Sequence, residues 1–247
     1  ANKMWPEIGT LPIIVVIILA MIIGAVIGCF NGFFVAKFKL HPFIVTLGTQ
    51  LILYTVLLLY VQMGNNKGMA ISNLDSTYTS FVKGSLFKIG GVPIPNYVLF
   101  AIVLTAVMWF IWNKTTFGKN MFALGSNEEA ARVSGVNVFA VTVGVFALAG
   151  AMYGFTGFIE GARIGSNTAN TGLNYELDAI AACVIGGVSF VGGIGKIRGI
   201  VIGVLMLRLI FVGLTMVGVA QDLQYLIKGA IILFACALDM RKYLVKK

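Results

Sequence analysis

Two glycine–lysine pairs are the residues of this sequence that most resemble a site for phosphate chemistry. A phosphate-binding loop of the form G-x4-G-K-[ST] holds phosphates with backbone amides and a lysine, and its hydroxyl binds Mg²⁺. The pair at 195–196 has Phe190 where the loop needs the first glycine and Ile197 where it needs the hydroxyl. The pair at 118–119 has asparagine at both of these positions. Neither pair predicts ATP hydrolysis by this chain.

The titratable residues argue against ion-coupled transport and against an active site. Carriers driven by protons or sodium usually keep carboxylates at membrane depth. Here the acids lie outside the apolar runs or at their ends, with Asp178 at an outer end and Asp239 at an inner end. The single histidine, His41, precedes a proline in a short loop. The cysteines have no metal or redox spacing, so we interpret them as packing residues: Cys29, Cys183 and Cys236.

Two basic residues fall inside apolar runs. Arg208 lies near the middle of one, where burying an unpaired charge costs at least ~2.5 kcal/mol. It is either functional or held in a structural pair or carbonyl cap, and we favour the structural role. Lys228 lies six residues into the last run and is expected to extend outward to the membrane surface.

The stretch "GSNEEAARVSG", residues 125 to 135, predicts a short polar helix with its own start and stop. Ser126 and Glu129 have the spacing of a capping box. Glu128 lies in the first turn, where negative charge suits the helix dipole, and it can pair with Arg132 four residues on. Gly135 suits the left-handed residue just past a helix end.

The side chains of Ala130 and Ala131 are small, so another surface could closely approach that face of the short helix. Such an element suits docking into a groove of a partner. The alternative is a loop helix that rests on its own bundle or on lipid.

Composition places these residues on a membrane protein. Of 247 residues, 59% are hydrophobic and 11% are charged, and the mean hydropathy is +0.95. We predict an all-α polytopic transmembrane helical bundle, because runs of about 20 apolar residues cross a bilayer core of about 30 Å. The fifth run is rich in glycine, which favours a broken or re-entrant segment. The seven predicted spans are Leu11–Val35, Phe43–Gln62, Tyr97–Trp112, Val138–Ile159, Leu177–Ile194, Ile200–Val219 and Leu223–Asp239.

The net charge of +9 is scattered over short loops, which favours orientation of the spans over nucleic-acid binding. The basic tail after residue 240 is predicted to be cytoplasmic, together with a loop at 113–137. The segment 63–96 is then a periplasmic loop or small cap. Glycines at four-residue spacing predict close helix packing, within one subunit rather than at a dimer seam: Gly24, Gly28, Gly32, Gly150, Gly154, Gly199 and Gly203.

Two motifs carry a resemblance to a known family. "MFALGSNEEAARVSGVNV" resembles the cytoplasmic EAA-like loop of permease subunits in bacterial ABC sugar importers. "YELDAIAACVIGGVSFVGGIG" resembles the second signature of the ribose, xylose and galactose permeases, and the likeness runs along essentially the whole chain. It implies that residues 1–247 form one permease domain of the inner membrane, the C-terminal part of a roughly ten-span protein. Galactose or methyl galactoside is the implied substrate.

The resemblance also implies partners. In this family the loop helix is a coupling helix that docks on a separate ATPase subunit. That subunit binds the ATP, so no cofactor is expected in this chain. A periplasmic sugar-binding protein and a second permease copy complete the importer. The alternative is a channel or carrier for a small polar solute that uses no ATPase. The implied coupling-helix residues are Gly125, Ser126, Asn127, Glu128, Glu129, Ala130, Ala131 and Gly135, with Arg132 as the partner of Glu128.

Overall fold

The computed structural model describes residues 12–63, 68–72 and 74–244, and most of them are helical. A small antiparallel hairpin is the only two-stranded sheet among these residues. The elements are α1 (Ile13–Phe38), α2 (Pro42–Gln62), α3 (Ser76–Lys83), β1 (Ser85–Ile89), β2 (Val92–Pro95), α4 (Asn96–Lys114), α5 (Thr116–Ser126), α6 (Glu128–Val133), α7 (Val138–Ile164), α8 (Tyr175–Ile185), α9 (Ile197–Met216) and α10 (Gln221–Leu244).

Five helices of the described part are long and apolar enough to cross a membrane, namely α1, α2, α4, α7 and α9. Each begins and ends within about five residues of a predicted span. The all-α polytopic fold is therefore confirmed. Helix α10 has 24 residues, which at a rise of 1.5 Å per residue also reaches across a bilayer core.

The fifth predicted span, Leu177–Ile194, is broken, as its glycine content indicated. Helix α8 has only 11 residues, which cover about half of the apolar thickness. It ends before Gly186, and the chain then turns repeatedly. Gly187, Gly192 and Gly193 have φ angles of +80°, +101° and +69°, a left-handed backbone that a right-handed helix does not hold. We name residues 186–196 the glycine turn.

The chain divides into two compact units, and the first comprises the described residues up to Leu104 together with Asn137–Thr171. Here α1 packs against α7 with the two backbones in contact. A Cβ added to Gly24 would collide with the carbonyl of Gly150, and one added to Gly154 would collide with the carbonyl of Ala20. Small residues permit this approach in lipid, where dispersion contacts hold helices together. Glycines of this interface are Gly24, Gly28, Gly32, Gly150 and Gly154.

A small cap in the same unit is built from α3 and the β1–β2 hairpin. Asp75 begins α3 by accepting a hydrogen bond of 2.7 Å from the Thr77 amide, which lowers the pKa of its carboxyl. The Tyr78 hydroxyl donates to the carbonyl of Phe158 on α7. The predicted loop at 63–96 therefore contains folded structure that packs on a span.

The second unit comprises Thr105–Val136 and the described residues from Gly172 onward. Helices α8 and α9 approach through small residues here as well. A Cβ on Gly203 would collide with the carbonyl of Ala182, and one on Gly199 would collide with that of Gly186. Ala181, Ala182 and Leu207 form the buried core of this packing. All the residues of the candidate site belong to this unit.

Candidate functional site

Helix α5 lies where the sequence indicated only a loop. Its cap is Thr115, whose hydroxyl accepts a hydrogen bond of 3.1 Å from the Gly118 amide. Gly118 lies against the carbonyls of Trp112 and Ile111, so α4 and α5 meet at a tight turn that a side chain would obstruct. The threonine directly after the basic end of α4 was the available signal, because threonine is a preferred N-cap.

The predicted capping box of Ser126 and Glu129 is wrong. Ser126 is the last residue of α5, and its hydroxyl donates to the carbonyl of Phe122 at 2.8 Å. The cap of α6 is Asn127, whose side-chain oxygen accepts from the Ala130 amide at 2.9 Å. The start moves by one residue because α5 remains helical up to Ser126, and Asn127 is the first residue with an extended backbone.

The end of α6 has the geometry that the sequence indicated. Gly135 has a φ angle of +82°. Its amide donates to the carbonyl of Arg132 at 3.1 Å, and the amide of Val136 donates to that of Ala131 at 3.0 Å. These two bonds are the Schellman pattern, which satisfies carbonyls that the helix leaves open.

The charges of α6 lie on its surface. Arg132 and Glu128 form an ion pair of 2.7 Å, with side chains 58% and 49% exposed. A pair of this kind contributes about 0.2–0.5 kcal/mol to a helix. Glu128 and Glu129 both occupy the first turn. The ion pair therefore orders the surface of α6 without anchoring it.

One expected contact residue of α6 is not available to a partner. Ala131 is only 3% exposed, so the surface that approaches it belongs to this chain, and the prediction that Ala131 contacts a partner is wrong. It is buried within this chain and fixes α6 in place. The exposed part of α6 outside the ion pair consists of Glu129, Ala130 and Val133, and Val133 is 89% exposed. We name these three residues the open face of α6.

The glycine turn packs against the junction of α5 and α6. A Cβ added to Gly125 would lie 2.9 Å from the Gly193 nitrogen, and one added to Gly192 would collide with the carbonyl of Gly125. A Cβ added to Gly193 would collide with Ser126. The two sequence motifs are thus in direct contact, although their spacing along the chain gives no sign of it.

Asp239 attaches the glycine turn to α10. Its carboxylate accepts from the Ser189 hydroxyl at 2.8 Å and from the Phe190 amide at 3.0 Å. The Ser189 hydroxyl in turn accepts from the amide of Val191 at 3.2 Å. A carboxylate that accepts several bonds is a strong local anchor. Sequence reasoning assigned no role to Ser189 or Asp239.

A polar pocket of about 200 Å³ lies between α8, α9 and α10. Lys228 lines it and is only 8% exposed, so its side chain ends among other residues of this chain. Its ammonium contacts the Asp178 carboxylate and lies 5.3 Å from the ring centroid of Phe211 and 5.1 Å from that of Tyr225. The Lys228 ammonium can remain charged and buried because the carboxylate and the two rings replace the water around it. Arg208 lines the same pocket and forms no ion pair or hydrogen bond with the residues that the structure describes, so the favoured structural pair or carbonyl cap is wrong.

Comparison with known proteins identifies the class. The family model "Branched-chain amino acid transport system / permease component" matches residues 1–236. The chain belongs to this family of membrane permeases. Its span-forming helices and this membership make it a multi-pass protein of the inner membrane.

The similar proteins include sugar permeases. The chain is 49% identical to a galactose/methyl galactoside import permease of Escherichia coli, over all of this chain and 73% of that protein. It is 46% identical to the Haemophilus influenzae protein of the same description, over 100% of this chain and 72% of that protein. A ribose import permease of Escherichia coli is 36% identical, over 93% of this chain and 70% of that protein. No solved structure matches the chain.

Proposed function

We propose that this chain is the membrane-spanning subunit of an ABC importer that carries a monosaccharide, galactose or methyl galactoside, into the cell. Similarity to sugar permeases along the whole chain supports the substrate class. The chain itself binds no cofactor. A separate ATPase subunit binds and hydrolyses ATP, a periplasmic sugar-binding protein delivers the sugar, and a second copy of the chain completes the translocation path.

The observation that carries this proposal is the construction of α6. A helix of six residues is not stable by itself in water, so its conformation depends on the Asn127 cap, the Gly135 stop and the burial of Ala131. What remains accessible is the open face, with the apolar side chain of Val133 at its centre. An exposed valine on a rigid loop helix fits the groove of a partner, which we propose is the ATPase.

Substitution of Val133 tests this role. Val133→Glu places a charge at the proposed contact, where it would be buried without a partner. We expect the variant to insert normally but to lose co-purification of the ATPase and sugar uptake into proteoliposomes. Leu86→Glu is the matched control, because Leu86 is a 72% exposed apolar residue of β1 in the predicted periplasmic loop. Wild-type ATPase binding and uptake in Val133→Glu would refute docking through α6, whereas failure of the wild-type chain to bind any ATPase would favour a carrier that needs none.

A further inference from the structure

The polar pocket of the second unit has no part in the docking role of α6. Polar side chains beside a membrane-spanning helix such as α9 are costly, so their presence requires an explanation. The lining combines two cations, one carboxylate, three amides and aromatic rings. Its polar residues are Asn174, Tyr175, Asp178, Arg208, Gln221, Gln224 and Lys228.

The charges of this pocket are not all matched internally. Asp178 and Lys228 contact one another, so one negative and one positive charge cancel. Arg208 has no hydrogen bond or ion pair to any residue of the part of the chain that the structure describes. A guanidinium has five donors in a fixed plane, and these remain for a ligand or for water.

The side-chain amide of Gln224 supplies a hydrogen-bond acceptor beside the donors of Arg208. Its amide nitrogen donates to the Thr215 hydroxyl at 3.3 Å and to the Val219 carbonyl at 3.0 Å. These two bonds fix the orientation of the amide and leave its oxygen to accept. Tyr225 adds an aromatic ring to the same lining. The pocket therefore presents donors, an acceptor and an apolar ring within one small volume.

We infer that this pocket is a low-affinity subsite for a neutral monosaccharide on the translocation path, an inference that rests on the proposed function. Sugar hydroxyls both donate and accept, which suits Arg208 and Gln224, and the apolar face of a sugar ring suits Tyr225. The volume of about 200 Å³ is below the ~300–1,000 Å³ of sites for drug-sized ligands and suits a ligand of about a dozen heavy atoms. Few contacts imply weak binding, which transport requires because the solute must also leave.

Binding of radiolabelled galactose to the full-length permease in lipid nanodiscs, without a binding protein, tests the inference. We expect saturable binding in the millimolar range. Arg208→Gln and Gln224→Leu should each weaken it about tenfold, the effect of one lost polar contact of about 1.4 kcal/mol. Asp222→Asn is the control, since Asp222 lies on the same turn of α10 and does not line the pocket. Thr215→Val should weaken binding two- to threefold, because it loosens Gln224 from outside the pocket.

The size-exclusion profile of each variant shows whether it has folded, and Thr215→Val keeps the test valid if Arg208→Gln does not fold. Absence of saturable binding to the wild type, or wild-type affinity in Gln224→Leu and Thr215→Val, would overturn the inference. Displacement of galactose by an equal concentration of inorganic phosphate would identify an anion site and would also overturn it. The proposed function is tested separately: failure of the wild-type chain to recruit an ATPase refutes that function and leaves the binding result intact.

Discussion

Gly125 and Gly193 lie backbone against backbone, so closely that a Cβ on Gly125 would be 2.9 Å from the Gly193 nitrogen. This contact joins the end of α5, which leads directly into α6, to the glycine turn, and the carboxylate of Asp239 joins the glycine turn to α10. A displacement of α6 by a docked partner would therefore reach α10, which lines the polar pocket, through one contact between main chains and the hydrogen bonds of Asp239. Backbone contacts of this kind tolerate no side chain, which makes them testable by single substitutions.

Gly193→Ala should uncouple ATP hydrolysis from uptake. The added methyl collides with Ser126 and also strains a residue with a φ angle of +69°. Gly187→Ala separates the two effects, because Gly187 has a φ angle of +80° with nothing within 4 Å of an added Cβ. Strain alone costs roughly 1 kcal/mol at either position. We expect uptake per ATP hydrolysed to fall several-fold in Gly193→Ala only. Equal ratios in the two variants would show that the contact has no role in coupling.

Gly154→Leu should prevent assembly of α1 with α7, because its side chain would enter the backbone of Ala20. Overpacking of this kind typically costs 1–3 kcal/mol or more. Gly157→Leu on the same helix is the control, since nothing lies within 4 Å of a Cβ at Gly157. We expect a low membrane yield and a lowered melting temperature for Gly154→Leu alone. If both variants accumulate normally, the α1–α7 contact is not needed for folding.

The predicted orientation can be read by labelling single cysteines placed in a chain without its native ones. Leu86→Cys should react with a membrane-impermeant thiol reagent in intact cells, whereas Val133→Cys should react only after the cells are opened. Both positions are well exposed, at 72% and 89%, so access to the reagent depends on the side of the membrane. Rapid labelling of Val133→Cys in intact cells would reverse the predicted topology and place α6 out of reach of a cytoplasmic ATPase.

The sequence predicted correctly those features that depend on residues close together in the chain. The apolar runs located α1, α2, α4, α7 and α9 because burial in lipid depends on local composition. The left-handed stop at Gly135 and the pair of Glu128 with Arg132 are also local, and both are present. The cap at Asn127 was missed because it depends on how far the preceding helix extends.

The features that the sequence did not show are contacts between residues far apart in the chain. The break after α8 is stabilised by Asp239, some fifty residues away along the chain, which periodicity does not report. The burial of Lys228 depends on Asp178, likewise some fifty residues away, and on the ring of Phe211. Each of these partners lies on a different helix from the residue that it stabilises. A single sequence does not show which helices will be neighbours.

The ion pair of Asp178 and Lys228 leads to an asymmetric prediction. The Lys228 side chain is 10% exposed, whereas that of Asp178 is 42% exposed. Asp178→Asn leaves a buried ammonium without its counter-ion, and we expect a loss of roughly 3 kcal/mol, the lower end for a broken buried pair. Lys228→Met leaves a carboxylate whose side chain is 42% exposed, although the oxygen that faced Lys228 is buried, so the loss of stability should be smaller, about 1 kcal/mol.

The double variant Asp178→Asn, Lys228→Met removes both charges and should be more stable than Asp178→Asn alone, because no ammonium is then buried. Thermal unfolding of the four proteins in the same detergent measures all three differences. If the double variant is as stable as the wild type, the ion pair does not contribute to stability, and a functional role would explain its presence. If Asp178→Asn is no less stable than Lys228→Met, water reaches the Lys228 ammonium in the folded protein. The description of the pocket as a site with a buried ammonium would then be wrong.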